Sequence, residues 1–317
     1  MPTNQPMTQR VAVIGECMLE LKGEAFGAMT QGYGGDTFNT AVYLRRCGAA
    51  AGIEVAYATA LGEDGLSTGL IGRWQAQGLD TSLVSRIAGR MPGLYMIEVD
   101  GRGERSFHYW RDSAAAKSYF EAEVSPLEAQ ADRFDALYLS GITLAILPAA
   151  GRERLYALMA TLRERGAQVI FDNNYRSRLW PDRASARAAF ERAFSLATIA
   201  LVTADDHQAL MGLHDIDAAI AHAKTLPVPE VLIKRGAAPT LVRAAGGAGD
   251  WLEAMTQRIE RVVDTTAAGD SFAGGYLARR LAGDDAVAAA EHGNRVAARV
   301  IQHPGAVIST EAMADLI

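Results

Sequence analysis

The pattern that most constrains the fold is a regular alternation of short apolar runs with segments of helical periodicity along the 317 residues. Helical patterns at 37–47, 66–77 and 152–165 each stop at a glycine, where a left-handed cap is common. Such alternation is typical of an α/β fold with a mainly parallel sheet covered by helices on both faces, and ligands bind such sheets at the carboxyl ends of the strands. The predicted strands are 11–15, 55–61, 136–140, 169–172, 199–203 and 231–234.

Two segments interrupt this alternation. Residues 94–99 and 105–110 flank the sequence Asp-Gly-Arg-Gly at 100–103, which predicts a β-hairpin. A glycine-rich stretch earlier in the chain also lacks helical periodicity. We expect both to form a small antiparallel lid over the ligand end of the sheet. The excursions span about 16–35 and 93–112, within one predicted domain covering 1–317.

The composition limits the class of function. The formal net charge is −6 at neutral pH, so we expect no nucleic-acid partner, which would require a basic face. The two cysteines, Cys17 and Cys47, have neither a disulfide framework nor a metal-ligand spacing. No apolar run approaches the roughly 18 residues of a membrane span, and the start lacks the basic-then-apolar order of a signal peptide. These features predict a cytoplasmic enzyme without a membrane partner.

The run 264–270 places small residues and an aspartate at the start of a helical pattern. Free N–H groups and the helix dipole make such a start attractive to phosphate oxygens. An acid there is explained if Asp270 takes a proton from a hydroxyl that attacks phosphorus, while the amides of Ala267, Ala268 and Gly269 hold the transferring phosphoryl group. The pattern indicates a small-molecule kinase. The alternative is a turn that packs a helix closely on a sheet.

A second motif, at 32–41, joins adjacent glycines to a polar helix start. Gly34 and Gly35 allow a ligand to touch the backbone, and the Asn39 amide offers a donor and an acceptor to a diol. Taken alone, the segment could equally be a flexible turn before a helix. Its spacing does not fit a dinucleotide-binding Gly-x-Gly-x-x-Gly motif, and the chain has no P-loop sequence.

Both motifs resemble signatures of the ribokinase-like sugar kinases, the phosphofructokinase-B family. The run 264–270 is similar to Asp-Thr-x-Gly-Ala-Gly-Asp, with Ala267 in place of the usual glycine, and 32–41 is similar to Gly-Gly-x-x-x-Asn. The resemblance implies a three-layer sandwich, Asp270 as the catalytic base, and sugar binding by Gly34, Gly35, Asp36 and Asn39. It also implies ATP and Mg²⁺ as requirements and a homodimer paired through the lid. The sequence leaves open whether a monovalent cation is needed.

The same resemblance implies a nucleotide site built at several strand ends. Thr203 and Asp206 stand where the family carries Asn-x-x-Glu, so Asp206 is expected to hold Mg²⁺ through water. The alternatives are an acidic helix start at 203–206 and an exposed basic strand end at 234–236. The residues expected at the nucleotide are Asn174, Thr203, Lys234, Gly236, Thr266 and Asn294.

Two arginines in these regions favour an acidic sugar, because a guanidinium binds a carboxylate through a bidentate fork. Arg111 closes the predicted hairpin and Arg176 follows a strand, while Tyr95 and Tyr109 would add an aromatic wall. The alternative is that Arg176 and Arg178 cap strand ends and that Arg111 is solvated. These segments are similar to those of 2-keto-3-deoxygluconate kinases, and the resemblance implies ATP-dependent phosphorylation of that sugar. Two alternatives stay open: a kinase for a neutral sugar such as fructose or ribose, and a catalytically silent sugar-binding regulator.

Overall fold

Residues 8–99, 105–246 and 249–317 are described by a computed structural model, in which the strands form a nine-stranded and a four-stranded sheet. The strands are β1 (Gln9–Ile14), β2 (Met18–Gly23), β3 (Met29–Gly34), β4 (Ile53–Leu61), β5 (Val84–Arg86), β6 (Leu94–Val99), β7 (Arg105–Trp110), β8 (Ala136–Ser140), β9 (Gln168–Asp172), β10 (Ile199–Thr203), β11 (Glu230–Arg235), β12 (Ala238–Arg243) and β13 (Leu252–Ala254). The α-helices are α1 (Asp36–Gly48), α2 (Gly65–Ala76), α3 (Pro126–Ala129), α4 (Gly141–Ile146), α5 (Ala149–Glu164), α6 (Arg183–Leu196), α7 (Ala204–Met211), α8 (Ile216–Ala223), α9 (Ala268–Leu281) and α10 (Ala286–Val300).

The large sheet has the order β13-β12-β11-β10-β9-β8-β1-β4-β5 and is parallel from β11 to β5. Successive residues of β1 belong to different hydrophobic cores: Ala12 and Ile14 pack in one, Val11 and Val13 in the other. Because neighbouring side chains of a strand point to opposite faces, both faces of the sheet are covered. The predicted three-layer α/β fold is confirmed, and all six predicted strands are present.

The four-stranded sheet, here called the lid sheet, has the order β3-β2-β6-β7. The predicted pairing of 94–99 with 105–110 is confirmed as an antiparallel ladder, and its turn at 100–103 lies outside the described residues. The glycine-rich stretch forms the antiparallel pair β2 and β3. Since Tyr95 pairs with Tyr109 and with Glu20, these three side chains share one face of the lid sheet.

The predicted helix ends are correct in two of three cases. Gly78 and Gly166 follow their helices with φ of 79° and 84°, as expected of left-handed caps. The expected cap at Gly48 is wrong, because Gly48 belongs to α1 and the left-handed turn falls at Gly52. A β-carbon on Gly48 would lie 2.9 Å from the Ile53 side chain, so close packing explains this glycine.

Close packing also brings the two sequence motifs together. A β-carbon on Gly274 of α9 would lie 2.7 Å from the Leu44 amide nitrogen of α1, so glycine allows the two helices to touch. The first residues of both helices, Asp36 and Ala268, lie in the wall of one cavity. Of the helices within the described ranges, none has the length and apolarity needed to cross a bilayer.

Candidate active site

A cavity of about 550 Å³ lies between the carboxyl ends of β9, β10 and β11, the starts of α1 and α9, and the lid sheet. Its wall contains every predicted site residue except Arg111. The predicted residues in the wall are Gly34, Gly35, Asp36, Asn39, Tyr95, Tyr109, Asn174, Arg176, Thr203, Asp206, Lys234, Gly236, Thr266, Ala267, Ala268, Gly269, Asp270 and Asn294.

Asp270 lies in the first turn of α9 and faces this cavity. Its Oδ2 accepts a hydrogen bond of 2.8 Å from Asn39 Nδ2. Burial, reinforced by the negative charge of Asp36, raises the pKa of Asp270 from 3.8 to about 8, although the Asn39 hydrogen bond opposes the shift. A carboxyl group with a pKa near neutrality, at the positive end of a helix, suits proton transfer from a hydroxyl.

The start of α9 leaves backbone donors directed at the same space. The Ala268 amide donates to the Thr265 carbonyl oxygen at 3.2 Å, and the Ser271 amide donates to Ala267 at 2.8 Å. Among the described residues, no acceptor bonds the amides of Ala267, Gly269 or Asp270. Three free amides at a helix start form an anion-binding site of the kind expected for a phosphoryl group.

Ala267 has φ 61° and ψ 17°, the left-handed conformation that favours glycine. We expect Ala267→Gly to stabilise the protein by about 0.5–1 kcal/mol, because relief of left-handed strain of about 1–2 kcal/mol exceeds the entropic cost of glycine. Urea unfolding measures this difference. Ala268→Gly is the matched control: it occupies an ordinary helical position and should destabilise the protein. Equal destabilisation by both variants would contradict the strain argument.

Lys234, the penultimate residue of β11, is a buried cation among carboxylates. Its Nζ lies 2.8 Å from Asp172 Oδ2, and a β-carbon on Gly269 would lie 3.5 Å from the same Nζ. Lys234 therefore adjoins the free amides of α9, where its charge would attract phosphate oxygens. The alternative of an exposed basic strand end is wrong, because Lys234 is only 9% exposed.

Asp36 begins α1 and accepts a hydrogen bond of 2.8 Å from Asn174 Nδ2. Burial raises the pKa of Asp36, and the nearby Asp172 carboxylate adds to the effect. The Asn174 side chain thus holds Asp36, a carboxyl group of the predicted sugar site, although Asn174 itself was predicted to lie at the nucleotide. The cavity wall brings these two predicted sites into contact.

Two other predicted nucleotide residues, Gly236 and Asn294, also line the cavity. Gly236 follows β11 with φ 62°, the left-handed conformation that favours glycine. The Asn294 amide donates to the carbonyl oxygens of Ala254 and Met255 at 3.2 and 3.1 Å and accepts from Thr240 at 3.0 Å. Asn294 therefore holds β12 and β13 as well as facing the cavity. Thr240, also in the wall, was missed because its strand was not predicted.

The side of the cavity where the sugar is predicted to bind is formed by the lid sheet and α1. Tyr95 and Tyr109 stack with ring centroids 5.9 Å apart. A β-carbon on Gly34 would lie 3.3 Å from the Tyr95 hydroxyl, so glycine keeps this wall open. Asn39 Oδ1 is buried and has no hydrogen-bond partner within the described part of the chain. This unpaired acceptor is suited to receive a hydrogen bond from a ligand hydroxyl.

The two predicted carboxylate-binding arginines are both engaged with protein carboxylates. Arg111 lies outside the cavity wall, where its guanidinium forms a buried ion pair with Glu16. Arg176 faces the cavity, and its Nη1 donates to both oxygens of Asp206 at 3.0 and 3.2 Å. Neither pairing could be predicted from a local pattern, since Glu16 and Arg111, for example, are 95 positions apart.

Asp206 faces the cavity, but Arg176 occupies its carboxylate oxygens. No cluster of three or more His, Cys, Asp or Glu side chains suited to a metal occurs in the ranges that the structure describes. Mg²⁺ commonly binds phosphates and water with one or two carboxylates, so this wall fits a water-mediated role for Asp206. That role stays a prediction.

Comparison with known proteins agrees with this geometry. Residues 8–313 match the pfkB family of carbohydrate kinases. The chain is 46% identical over 308 residues to 2-dehydro-3-deoxygluconokinase of Escherichia coli K12, covering 97% of this chain and 99% of that protein. It is 44% identical to the enzyme of the same name from Dickeya dadantii, with 96% and 99% coverage.

The fold has solved counterparts. The crystal structure of fructokinase with bound ATP from Xylella fastidiosa superposes with a TM-score of 0.81 at 23% identity, covering 98% of each chain. At this identity the likeness supports the three-layer fold alone. The family match, by contrast, spans nearly the whole sequence and contains both motifs. The chain belongs to the pfkB family of carbohydrate kinases.

Proposed function

We propose that this protein transfers the γ-phosphoryl group of ATP to the terminal hydroxyl of 2-keto-3-deoxygluconate. The observation that carries the kinase reaction is the buried Asp270 carboxyl group beside the free amides of α9. The choice of sugar is supported by relatives at 44–46% identity that bear the name 2-dehydro-3-deoxygluconokinase.

In the proposed reaction, the sugar hydroxyl oxygen attacks the γ-phosphorus, the bond to the β–γ bridging oxygen breaks, and ADP leaves. Asp270 accepts the hydroxyl proton, and Asn39 orients its carboxylate. The amides of Ala267, Gly269 and Asp270, with Lys234, stabilise the charge on the transferring group. Mg²⁺, held through water by Asp206, would neutralise phosphate charge. Positioning and charge stabilisation account for most of the rate.

A kinase for a neutral sugar is the second candidate, and one observation favours it. Arg111 and Arg176 both pair with protein carboxylates, so neither offers an uncompensated charge to an acid. A silent sugar-binding regulator has less support, because a pure binding protein gains nothing from an acid beside phosphates. The expected homodimer stays a prediction; the lid sheet leaves Trp110 58% exposed.

A coupled ATP-consumption assay over acidic and neutral sugars distinguishes these candidates. We expect 2-keto-3-deoxygluconate to give the highest kcat/KM. Arg176→Ala should raise KM for the acid by less than about 10-fold, because Arg176 shares its donors with Asp206. Arg187→Ala, on the exposed face of α6, is the control and should behave like wild type. A fructose or ribose preference that Arg176→Ala leaves unchanged would favour the neutral-sugar kinase.

A further inference from the structure

The wall of the cavity has little positive charge to offer an anionic sugar. Four carboxyl groups face it, against one arginine and one lysine. The two cations are already paired, Arg176 with Asp206 and Lys234 with Asp172. A carboxylate that enters next to these pairs gains less than one that meets an unpaired cation, because the pairs are already neutralised. Recognition of an acid therefore calls for a further positive group close to the wall.

Arg178 meets this requirement. It lies two positions after Arg176, in the short helical turn Ser177–Leu179 that follows β9. Its guanidinium carbon is 4.0 Å from the centroid of the Tyr109 ring, and Tyr109 lines the cavity from the lid sheet. Across the residues that the structure describes, Arg178 makes no hydrogen bond or ion pair with a carboxylate. Arg178 is not itself one of the wall residues: it is an exposed, uncompensated cation held against Tyr109, which is one of them.

We propose that Arg178 is a specificity-determining residue that binds the carboxylate of the acid sugar. The inference rests on the proposed function. A guanidinium stacked on an aromatic ring keeps the N–H donors at its edge, so Arg178 can contact Tyr109 and a carboxylate simultaneously. Arg111 and Arg176, by comparison, must share their donors with Glu16 and Asp206. The contact with Tyr109 also places the charge at the aromatic wall where the sugar is expected.

The test compares 2-keto-3-deoxygluconate with its uncharged methyl ester as substrates at saturating Mg-ATP. Arg178→Gln should raise KM for the acid about 10- to 100-fold, the range of a lost charge-assisted hydrogen bond, and change KM for the ester less than about 2-fold. Turnover at saturating sugar should stay near wild type, since Arg178 makes no contact with Asp270 or with the free amides of α9 in the described part of the chain. Arg178→Lys should give an intermediate KM, because lysine keeps the charge but lacks the fork.

Arg187→Ala, which removes an exposed arginine from α6, is the matched control, and melting curves check that each variant is folded. An unchanged KM for the acid in Arg178→Gln would overturn the inference. Equal increases for acid and ester would also overturn it, since they would show a contact with the lid sheet and no recognition of charge. In both cases a wild-type preference for the acid leaves the proposed function standing. A wild-type enzyme that fails to prefer the acid would overturn both the role of Arg178 and the proposed function.

Discussion

Asp270→Asn is expected to lower kcat by about 10²- to 10⁴-fold, the range for loss of a general base, and to make the protein more stable. The loss of rate follows because an amide cannot accept the hydroxyl proton. The gain in stability follows because Asp270 is a buried carboxyl group whose charge is opposed by Asp36 and Asp172. Steady-state kinetics and thermal unfolding of the same preparations measure the two effects.

The pH dependence of the wild-type enzyme tests the same assignment. With a free-enzyme pKa of about 8, Asp270 is mostly protonated at lower pH, so kcat/KM should rise about tenfold per pH unit below 8 and level off above it. Because the folded-state pKa lies above the ordinary 3.8, the contribution of Asp270 to stability is full below about pH 3.8 and is lost as the pH rises through 8. The Asp270→Asn variant should not lose this stability as the pH rises through 8.

Asp205→Asn is the matched control, since Asp205 is an exposed carboxylate on α7, next to the cavity residue Asp206. It should leave kcat and its pH profile unchanged. An Asp270→Asn enzyme with near wild-type turnover would rule out the base assignment. A large loss of turnover together with reduced stability would instead indicate that Asp270 mainly supports the structure.

The sequence predicted the large sheet well because its central strands are buried on both faces and appear as continuous apolar runs. It did not predict β5 or β13, which are three residues long and lie at the sheet edges, where the apolar signal is weak. The lid sheet was predicted only in outline. Its pairing of β2 with β6 is parallel and joins segments about 75 residues apart, which local patterns do not reveal.

The site residues likewise divide into those that a local motif predicts and those whose partners depend on the fold. Asp270 and Asn39 were predicted as parts of separate motifs, and the structure joins them by a hydrogen bond across 231 positions. The resemblance to a family predicted a role for Asp270 and for Asn39, because each residue belongs to a motif that is local in sequence. The partners of Arg111 and Arg176 were not predictable, since an ion pair depends on which carboxylate the fold brings near. Only the three-dimensional structure shows which cations are paired with carboxylates. For the same reason, only the structure shows that Arg178 is not paired with one among the described residues.

Lys234→Met is expected to destabilise the protein by about 3 kcal/mol and to raise KM for ATP about 10-fold or more. The destabilisation arises because Asp172, only 3% exposed, would lose the Nζ atom that lies 2.8 Å from its Oδ2 and would remain as an uncompensated buried charge. The rise in KM follows from loss of the cation beside the free amides of α9. Urea unfolding and ATP titrations measure the two quantities.

The double variant Lys234→Met with Asp172→Asn separates these effects. Removing both charges should restore stability to within about 1 kcal/mol of wild type, because no buried charge is left without its partner, whereas KM for ATP should stay high. Lys117→Met is the control: Lys117 is half-buried, and its 3.9 Å pair with the fully exposed Asp112 should contribute nothing measurable to stability. A double variant as unstable as Lys234→Met would show that the lysine acts mainly through packing of its aliphatic chain near Phe272. A wild-type KM for ATP in either Lys234 variant would place the phosphates away from Lys234.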